Sequence, residues 1–229
     1  MRVRLPILCY HKVGPVAQEG RRLNVEPGRL RSHLLFFMRR AYAFPTVWEV
    51  AEGRWEARSV LFTFDDAYAS TIQNAAPLFL AAGRPCAIFA VAGHVGTESS
   101  WDGSLARPLA DWDSLRSAAL AGIEIGCHSL SHARIDTLDA SSLEREIQGA
   151  KRVLEEHGIV HASFCYPYGS HSQAVRSAVR KSGYRIAFAL GKRCAHPHDD
   201  RLALPRIAVA YSDVLPKLIY KMFVRPMLP

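Results

Sequence analysis

Residues 59–66, SVLFTFDD, decide how the rest of the chain is read. Val60, Leu61, Phe62 and Phe64 make a nearly unbroken apolar run, which suits a strand buried on both faces of a parallel sheet. The run stops at two carboxylates, Asp65 and Asp66. Adjacent strand residues point to opposite faces, so both acids serve one place only if the strand ends there. Ala67, Tyr68 and a helical pattern over 70–82 predict that it does. The plainer reading, acidic residues favoured by a helix N-terminus, stands beside it.

Six further runs of this kind lie outward from it: LPILCY (5–10), CAIFAV (86–91), IEIGC (123–127), ASFCY (162–166), RIAFAL (185–190) and LPRIAV (204–209). Helical patterns fall between them at 28–40, 47–53, 70–82, 113–121, 142–157 and 171–182. In the fifth, Leu143, Ile147, Ala150 and Leu154 share a face, and Ser141 with Glu144 reads as a capping box. Thr46 with Glu49 offers the same signal for the second. Gly83, Gly122, Gly158 and Gly183 stand just past expected helix ends, where a left-handed stop is needed. Strand–helix alternation repeated about seven times predicts an α/β domain, either a barrel or a doubly wound sheet. Both place chemistry at the carboxyl ends of the strands.

The chain has 229 residues, 49% of them hydrophobic and 22% charged, which suits one globular domain with a large core. Its net charge of +8 attracts anions, but the basic residues are spread out, with doublets only at Arg21-Arg22 and Arg39-Arg40. No basic block interleaved with aromatics appears, so no nucleic acid is expected. Five cysteines without a C-x-x-C pair read as buried thiols in a reducing compartment; Cys127, beside His128, is the one that could be a metal ligand, though core is the better reading. Residues 1–10 do not read as a signal peptide, and no run reaches the ~18 apolar residues of a membrane span. The expected location is the cytoplasm, extending to the inner face of the membrane.

Reactive residue types collect at the ends of the runs. His128 and His132, four apart after IEIGC, fit one face of a helical turn and could grip one metal ion. With Asp66 they make a two-histidine, one-carboxylate set, which leaves a coordination position open for water, as hydrolytic metals require. Zn²⁺ is the first choice, and Co²⁺, Ni²⁺ or Fe²⁺ also fit. Tyr10-His11 ends the first run. Tyr166-Pro167-Tyr168-Gly169 ends the fifth as a rigid loop whose N–H groups could face an oxyanion, although an ordinary turn has the same composition. Four polar clusters thus fall at the same end of four strands.

Thr63-Phe-Asp-Asp66, His128-Ser-x-x-His132 and Tyr166-Pro-Tyr-Gly169, in that order, resemble the motifs of the polysaccharide deacetylases (carbohydrate esterase family 4, the NodB-homology domain). Leu8-Cys-Tyr-His-Lys-Val13 and Pro205-Arg-Ile207 resemble the branch that includes poly-N-acetylglucosamine deacetylases. The resemblance spans roughly residues 5–210. It implies a distorted (β/α)₇ barrel, a metal on Asp66, His128 and His132, and Asp65 as general base. Tyr168, flanked by Pro167 and Gly169, would stabilise the oxyanion through its backbone N–H. In that branch the motifs are circularly permuted and the general acid lies near the N-terminus, which maps onto His11. Two departures stand out. Ala67 replaces a usual Gly, and Cys165 lies near where many members have an arginine that pairs with the base. Arg206 is the candidate to supply that charge instead.

The polar loop 93–113 carries Trp101 and Trp112, and one of them could line a sugar groove or pack the loop; Trp112, which also resembles a family position, is the one expected at the substrate. The tail 212–229 is amphipathic: Val214, Leu218 and Met222 lie beside Leu215, Ile219 and Phe223, with Lys217, Lys221 and Arg225 elsewhere. It should cap the barrel; the alternative is a peripheral contact with an anionic membrane. The expected function is metal-dependent N-deacetylation of an amino-sugar glycan in bacterial exopolysaccharide or cell-surface assembly. A deformylase or deacetylase of a lipid-linked sugar is the nearest alternative, and a silent sugar-binding barrel the most different one.

Overall fold

Each of the seven runs forms a strand, with ends displaced by one or two residues. A computed structural model of the chain describes residues 4–160 and 162–225, so positions 226–229 of the expected tail lie outside the described residues. The strands are β1 (Ile7–Tyr10), β4 (Leu61–Phe64), β5 (Ala87–Ala90), β6 (Glu124–Cys127), β7 (Ser163–Cys165), β8 (Ile186–Gly191) and β9 (Leu204–Ala208), with a short pair, β2 (Lys12–Val13) and β3 (Asn24–Val25), between the first two. The seven close into a barrel in the order β1-β4-β5-β6-β7-β8-β9, all parallel, and β9 returns to β1 through Leu8↔Ile207 and Cys9↔Ala208. Of the two α/β architectures, the chain is the barrel. The β2–β3 pair is a separate parallel ribbon that the sequence did not announce.

Around the barrel stand α1 (Val16–Glu19), α2 (Pro27–Arg39), α3 (Val47–Ala51), α4 (Ala69–Asn74), α5 (Ala76–Ala81), α6 (Trp112–Leu120), α7 (Ala140–Glu144), α8 (Ala150–Glu156), α9 (Gln173–Lys181) and α10 (Leu215–Ile219). The pattern over 70–82 is two abutting helices, because Pro77 opens a new first turn at α5. The pattern over 142–157 is α7 and α8 joined by a π-helical stretch, Arg145–Gly149. Its cap also differs from expectation: Asp139, not Ser141, is the N-cap and accepts from Ser142 N, so the helix starts two residues earlier. The Thr46–Glu49 box forms with both bonds present, and all four stop glycines have positive φ.

Strand periodicity sorts the side chains. Leu8, Tyr10, Phe62, Phe64, Ile88, Phe164 and Ile207 face the helices and join the larger core with Phe37, Phe79 and Leu115. Each such buried side chain contributes roughly 1.5–3 kcal/mol. The alternate positions, Ile7, Leu61, Ala87, Phe89, Ile186, Phe188 and Leu204, form a second apolar cluster that fills the barrel from below. Val47 and Val50 of α3 plug its amino end, and the Glu124 carboxylate accepts from Val47 N at 2.8 and 3.1 Å, tying that helix N-terminus to β6.

Along the tail, Leu218 and Met222 are fully buried, and Leu215, Ile219 and Phe223 pack against the larger core. Lys217 and Lys221 fold back onto the buried Asp213. Apart from Val214, which is exposed, the expected apolar face therefore packs onto the helix-side core of the barrel. Among the described residues no helix is long and apolar enough to cross a membrane.

Candidate active site

Continuing the inward positions upward replaces hydrocarbon by polar groups. Leu61 is followed by Thr63 and Asp65, Leu204 by Arg206, Ile7 by Cys9, Ser163 by Cys165, and Gly126 by His128. Arg206 and Asp65 meet there as a two-pronged ion pair, Nη1 to Oδ1 and Nη2 to Oδ2, both 2.7 Å, with Arg206 wholly buried. Arg206 also donates to Thr63 Oγ1 at 3.0 Å. The sequence offered Arg206 as the charge missing at position 165, and the structure puts it on Asp65. Cys165 and Cys9 add weak S–H donors, 3.4 Å from Oδ1 and 3.3 Å from Oδ2. Burial pushes the Asp65 pKa up, yet the Arg206 guanidinium overrides it and holds the carboxyl well below the usual range. The two thiols are raised by the same burial and stay protonated.

Asp66 would point out of the barrel if the strand continued. It does not: Asp66 has φ 68° and Ala67 φ 51°. Two left-handed residues in a row reverse the chain and bring the second carboxylate over the same end as the first. The position where the resemblance expects Gly is thus a left-handed one, and Ala67 carries there a strain of about 1 kcal/mol.

The two histidines converge, but not on a helical turn. Residues 128–132 form an irregular loop with Ser129 at φ 67° and His132 at φ 59°. His132 N donates to Ser129 Oγ at 3.1 Å. Glu146, from the π-helical stretch, accepts from Leu130 N (3.1 Å), Ser131 N (2.9 Å) and Ser131 Oγ (2.5 Å), fixing the loop from outside. The strain of these residues is concentrated at the site, where surrounding bonds over-determine the backbone.

His128 Nε2 and His132 Nε2 lie 3.4 and 3.2 Å from Asp66 Oδ1. Each ring is held at its other nitrogen: His128 Nδ1 is 2.8 Å from Cys165 O, and His132 Nδ1 is 3.2 Å from Tyr168 Oη. A carbonyl accepts only, so the His128 proton belongs on Nδ1 and its Nε2 presents a lone pair. Burial lowers the His128 pKa to about 4, so no second proton is bound near neutrality. Asp66 Oδ1 is itself buried without a hydrogen-bond donor. The Asp66 carboxylate and the His128 lone pair repel unless a cation, or a proton on His132, sits between them, and an anionic His₂Asp set with both rings held at their outer nitrogens is what a divalent ion requires. The residues fit the group. Cys127, by contrast, lies in the outer core with its thiol raised by burial to about 12, so it is core and no ligand.

His11 follows β1 and offers a ring nitrogen within 4.8 Å of the Asp65 carboxylate and the Cys9 sulfur. Its carbonyl is held by Thr71 Oγ1 at 2.5 Å, and its Nδ1 is buried without a partner. Pro167–Gly169 form a 3₁₀ turn with Tyr168 at φ 59°. Gly169 is obligatory there, since a Cβ would stand 2.5 Å from Leu190 Cβ at φ +70°. Of the two tryptophans, Trp101 stacks on His132 with centroids 4.3 Å apart, whereas Trp112 stacks on His157. The site is therefore walled by Trp101 and Tyr168. The contacts of Cys9, Cys165 and Glu146 had no signature in the sequence.

A model described as polysaccharide deacetylase matches residues 52–187, more than half of the chain. Among curated proteins, YxkH of Bacillus subtilis, named for the same family, is 23% identical over 90% of this chain and 72% of its own length. A poly-beta-1,6-N-acetyl-D-glucosamine N-deacetylase of Staphylococcus epidermidis is 26% identical over 73% of this chain, which spans only 60% of that enzyme. The fold is similar to that of the Streptococcus pyogenes deacetylase PplD, with a TM-score of 0.82 at 18% identity over 97% of this chain and 99% of that one. The fold is also similar to that of IcaB from Ammonifex degensii, with a TM-score of 0.78 at 23% identity, over 94% of this chain and 95% of that one.

Proposed function

Since this chain belongs to the polysaccharide deacetylase family, we propose that it hydrolyses the N-acetyl group of an amino sugar in a glycan or glycan precursor, with one divalent metal as cofactor. The observation that carries this reading is the convergence of Asp66 Oδ1, His128 Nε2 and His132 Nε2 beside an Asp65 that Arg206 keeps ionised. Asp66, His128 and His132 would hold the ion, Zn²⁺ first for a nitrogen- and oxygen-donor set, and it would supply Lewis acidity toward water and the amide carbonyl.

Asp65 is the base. It accepts a proton from water as the oxygen adds to the amide carbon, and Arg206 fixes the orientation of its carboxylate. That same pairing weakens Asp65 as a base, and the two thiols, as weak donors, add little to the weakening. The backbone N–H of Tyr168 is the candidate donor to the developing oxyanion. His11 gives a proton to the sugar nitrogen as the C–N bond breaks, so that acetate and a free amine leave. Trp101 and Tyr168, both packed on His132, offer faces to the sugar and the acetyl methyl. Oligomers of N-acetylglucosamine are the first substrates to try, because the staphylococcal relatives are named for such an activity.

The test is metal content of the purified protein together with acetate release from those oligomers. The wild type should bind one ion and release acetate, Asp65→Asn should keep the ion and lose turnover, and His128→Ala should lose both. A wild type that takes up no metal on reconstitution would defeat the hydrolase reading.

A further inference from the structure

The rim of this site is basic, and its arginines are not used up by the protein. Arg134 lies over the Tyr168 ring, 5.3 Å from its centroid, and donates only to Ser170 Oγ, at 2.9 Å. Tyr168 in turn touches His132, so a single ring separates Arg134 from a proposed metal ligand. Beside Trp101, the loop closes on Arg107, whose N–H donates to Ser99 Oγ (3.0 Å) and whose side chain reaches only the carbonyls of Gln18 and Ala106. Lys12, next to His11, lies beneath this rim: it is buried and donates to Glu19 O at 3.0 Å. Arg22 is exposed and lies within electrostatic reach of both groups, of Lys12 on one side and of Tyr168 on the other.

Among the described residues no carboxylate comes within ion-pair distance of Arg22, Arg107 or Arg134. The nearby acids are otherwise engaged or turned in: Asp102 accepts from Tyr68 and Ser99, and Glu19 is buried. Asp65 is neutralised by Arg206, and Asp66 faces the histidines.

Guanidinium groups without a carboxylate partner, and with N–H groups left over, match oxyanions. A neutral N-acetylglucosamine chain gains nothing from them. Its product gains less than nothing, because each deacetylation leaves an ammonium that the rim repels. We propose, resting on the N-deacetylase reading, that the substrate is an anionic glycan: an N-acylated amino sugar that carries or adjoins a phosphate or a carboxylate. Arg134 and Arg107 are the residues that select it.

The test uses the full chain loaded with Zn²⁺ and three probes: the neutral trisaccharide of N-acetylglucosamine, N-acetylglucosamine 1-phosphate, and a disaccharide of N-acetylglucosamine with glucuronate. Binding is read by calorimetry and turnover by acetate release. An anionic probe should be favoured over the neutral one by at least about tenfold in kcat/KM and in affinity. The advantage should shrink at high salt and in Arg134→Gln and Arg107→Gln, whose folding is checked by unchanged metal content. Preference for the phosphate probe alone, or the uronate alone, supports the proposal and names the anion. Acetate release from all three without preference overturns it and leaves the deacetylase reading intact. An anionic preference that survives both substitutions and high salt also overturns it. Anionic preference in binding with no acetate from any probe supports the rim and defeats the deacetylase reading.

Discussion

The two ends of the barrel use the same seven strands for opposite purposes. Below, the inward positions hold Ile7, Leu61, Phe89, Ile186, Phe188 and Leu204, an apolar plug closed by α3. Above, the same alternation delivers Thr63, Asp65, Arg206, His128 and the two thiols. The boundary is one aromatic layer: the Arg206 guanidinium carbon is 5.9 Å from the ring centres of both Phe89 and Phe188. A buried ion pair on such a floor is weak support for the fold, because desolvation takes back most of the attraction. The lower half therefore carries stability and the upper half carries chemistry.

That division can be broken most severely at Arg206. Arg206→Met should destabilise by about 3–5 kcal/mol, since it strands the Asp65 charge, and should abolish turnover. Arg206→Met with Asp65→Leu should regain most of the stability while staying inactive; urea denaturation beside acetate release reads both. If the double variant stays as unstable as the single one, the pair is structural after all. Phe89→Ala tests the other half: a loss of roughly 3–5 kcal/mol in the same denaturation, with metal content kept.

A gentler test is pH. His33 is fully buried against Tyr10, 3.0 Å from its hydroxyl, and burial lowers its pKa from 6.5 to about 4. The unfolded chain binds this proton more readily than the folded one. Stability from His33 is thus complete above 6.5 and falls as the pH drops toward 4, by on the order of 3 kcal/mol in all. His33→Gln should flatten that part of the stability–pH curve. The smallest effect is expected at Ala67→Gly, which relieves the left-handed strain but frees the unfolded chain, for a net change within about 1 kcal/mol by thermal denaturation.

The strands were legible because burial on both faces leaves unbroken apolar runs. Asp65, Asp66, His128 and His132 were legible because each group stops a run at the same end. Helix breaks were not: the pattern over 70–82 keeps its periodicity across the junction before α5, and the π-helical stretch shifts register without changing composition. The four-residue spacing of His128 and His132 suggests a helical turn, but spacing says nothing about the left-handed Ser129 and His132 backbone that makes this segment a loop. Arg206 could be proposed but not located, since its partner lies 141 positions away and only barrel closure joins β9 to β1 and β4. Trp112 is the tryptophan the sequence points to, yet the folded loop puts Trp101 on His132 and Trp112 on His157, and Glu146 reads like any acid on a wet helix face.

Barrel closure has a further bearing on how such a chain can be strung. β1 lies between β4 and β9, and the Leu5–Ala195 bridge sits beside Cys194, whose thiol reaches Met222 O at 3.3 Å. Leu5 and Met222, near opposite limits of the described chain, are thus almost neighbours. The wheel of strands has no natural first spoke. Which motif is read first depends on where the rim is nicked, and a nick in the long loop after β5, with a short splice across the old gap, would leave every spoke and every reactive group facing the same hub.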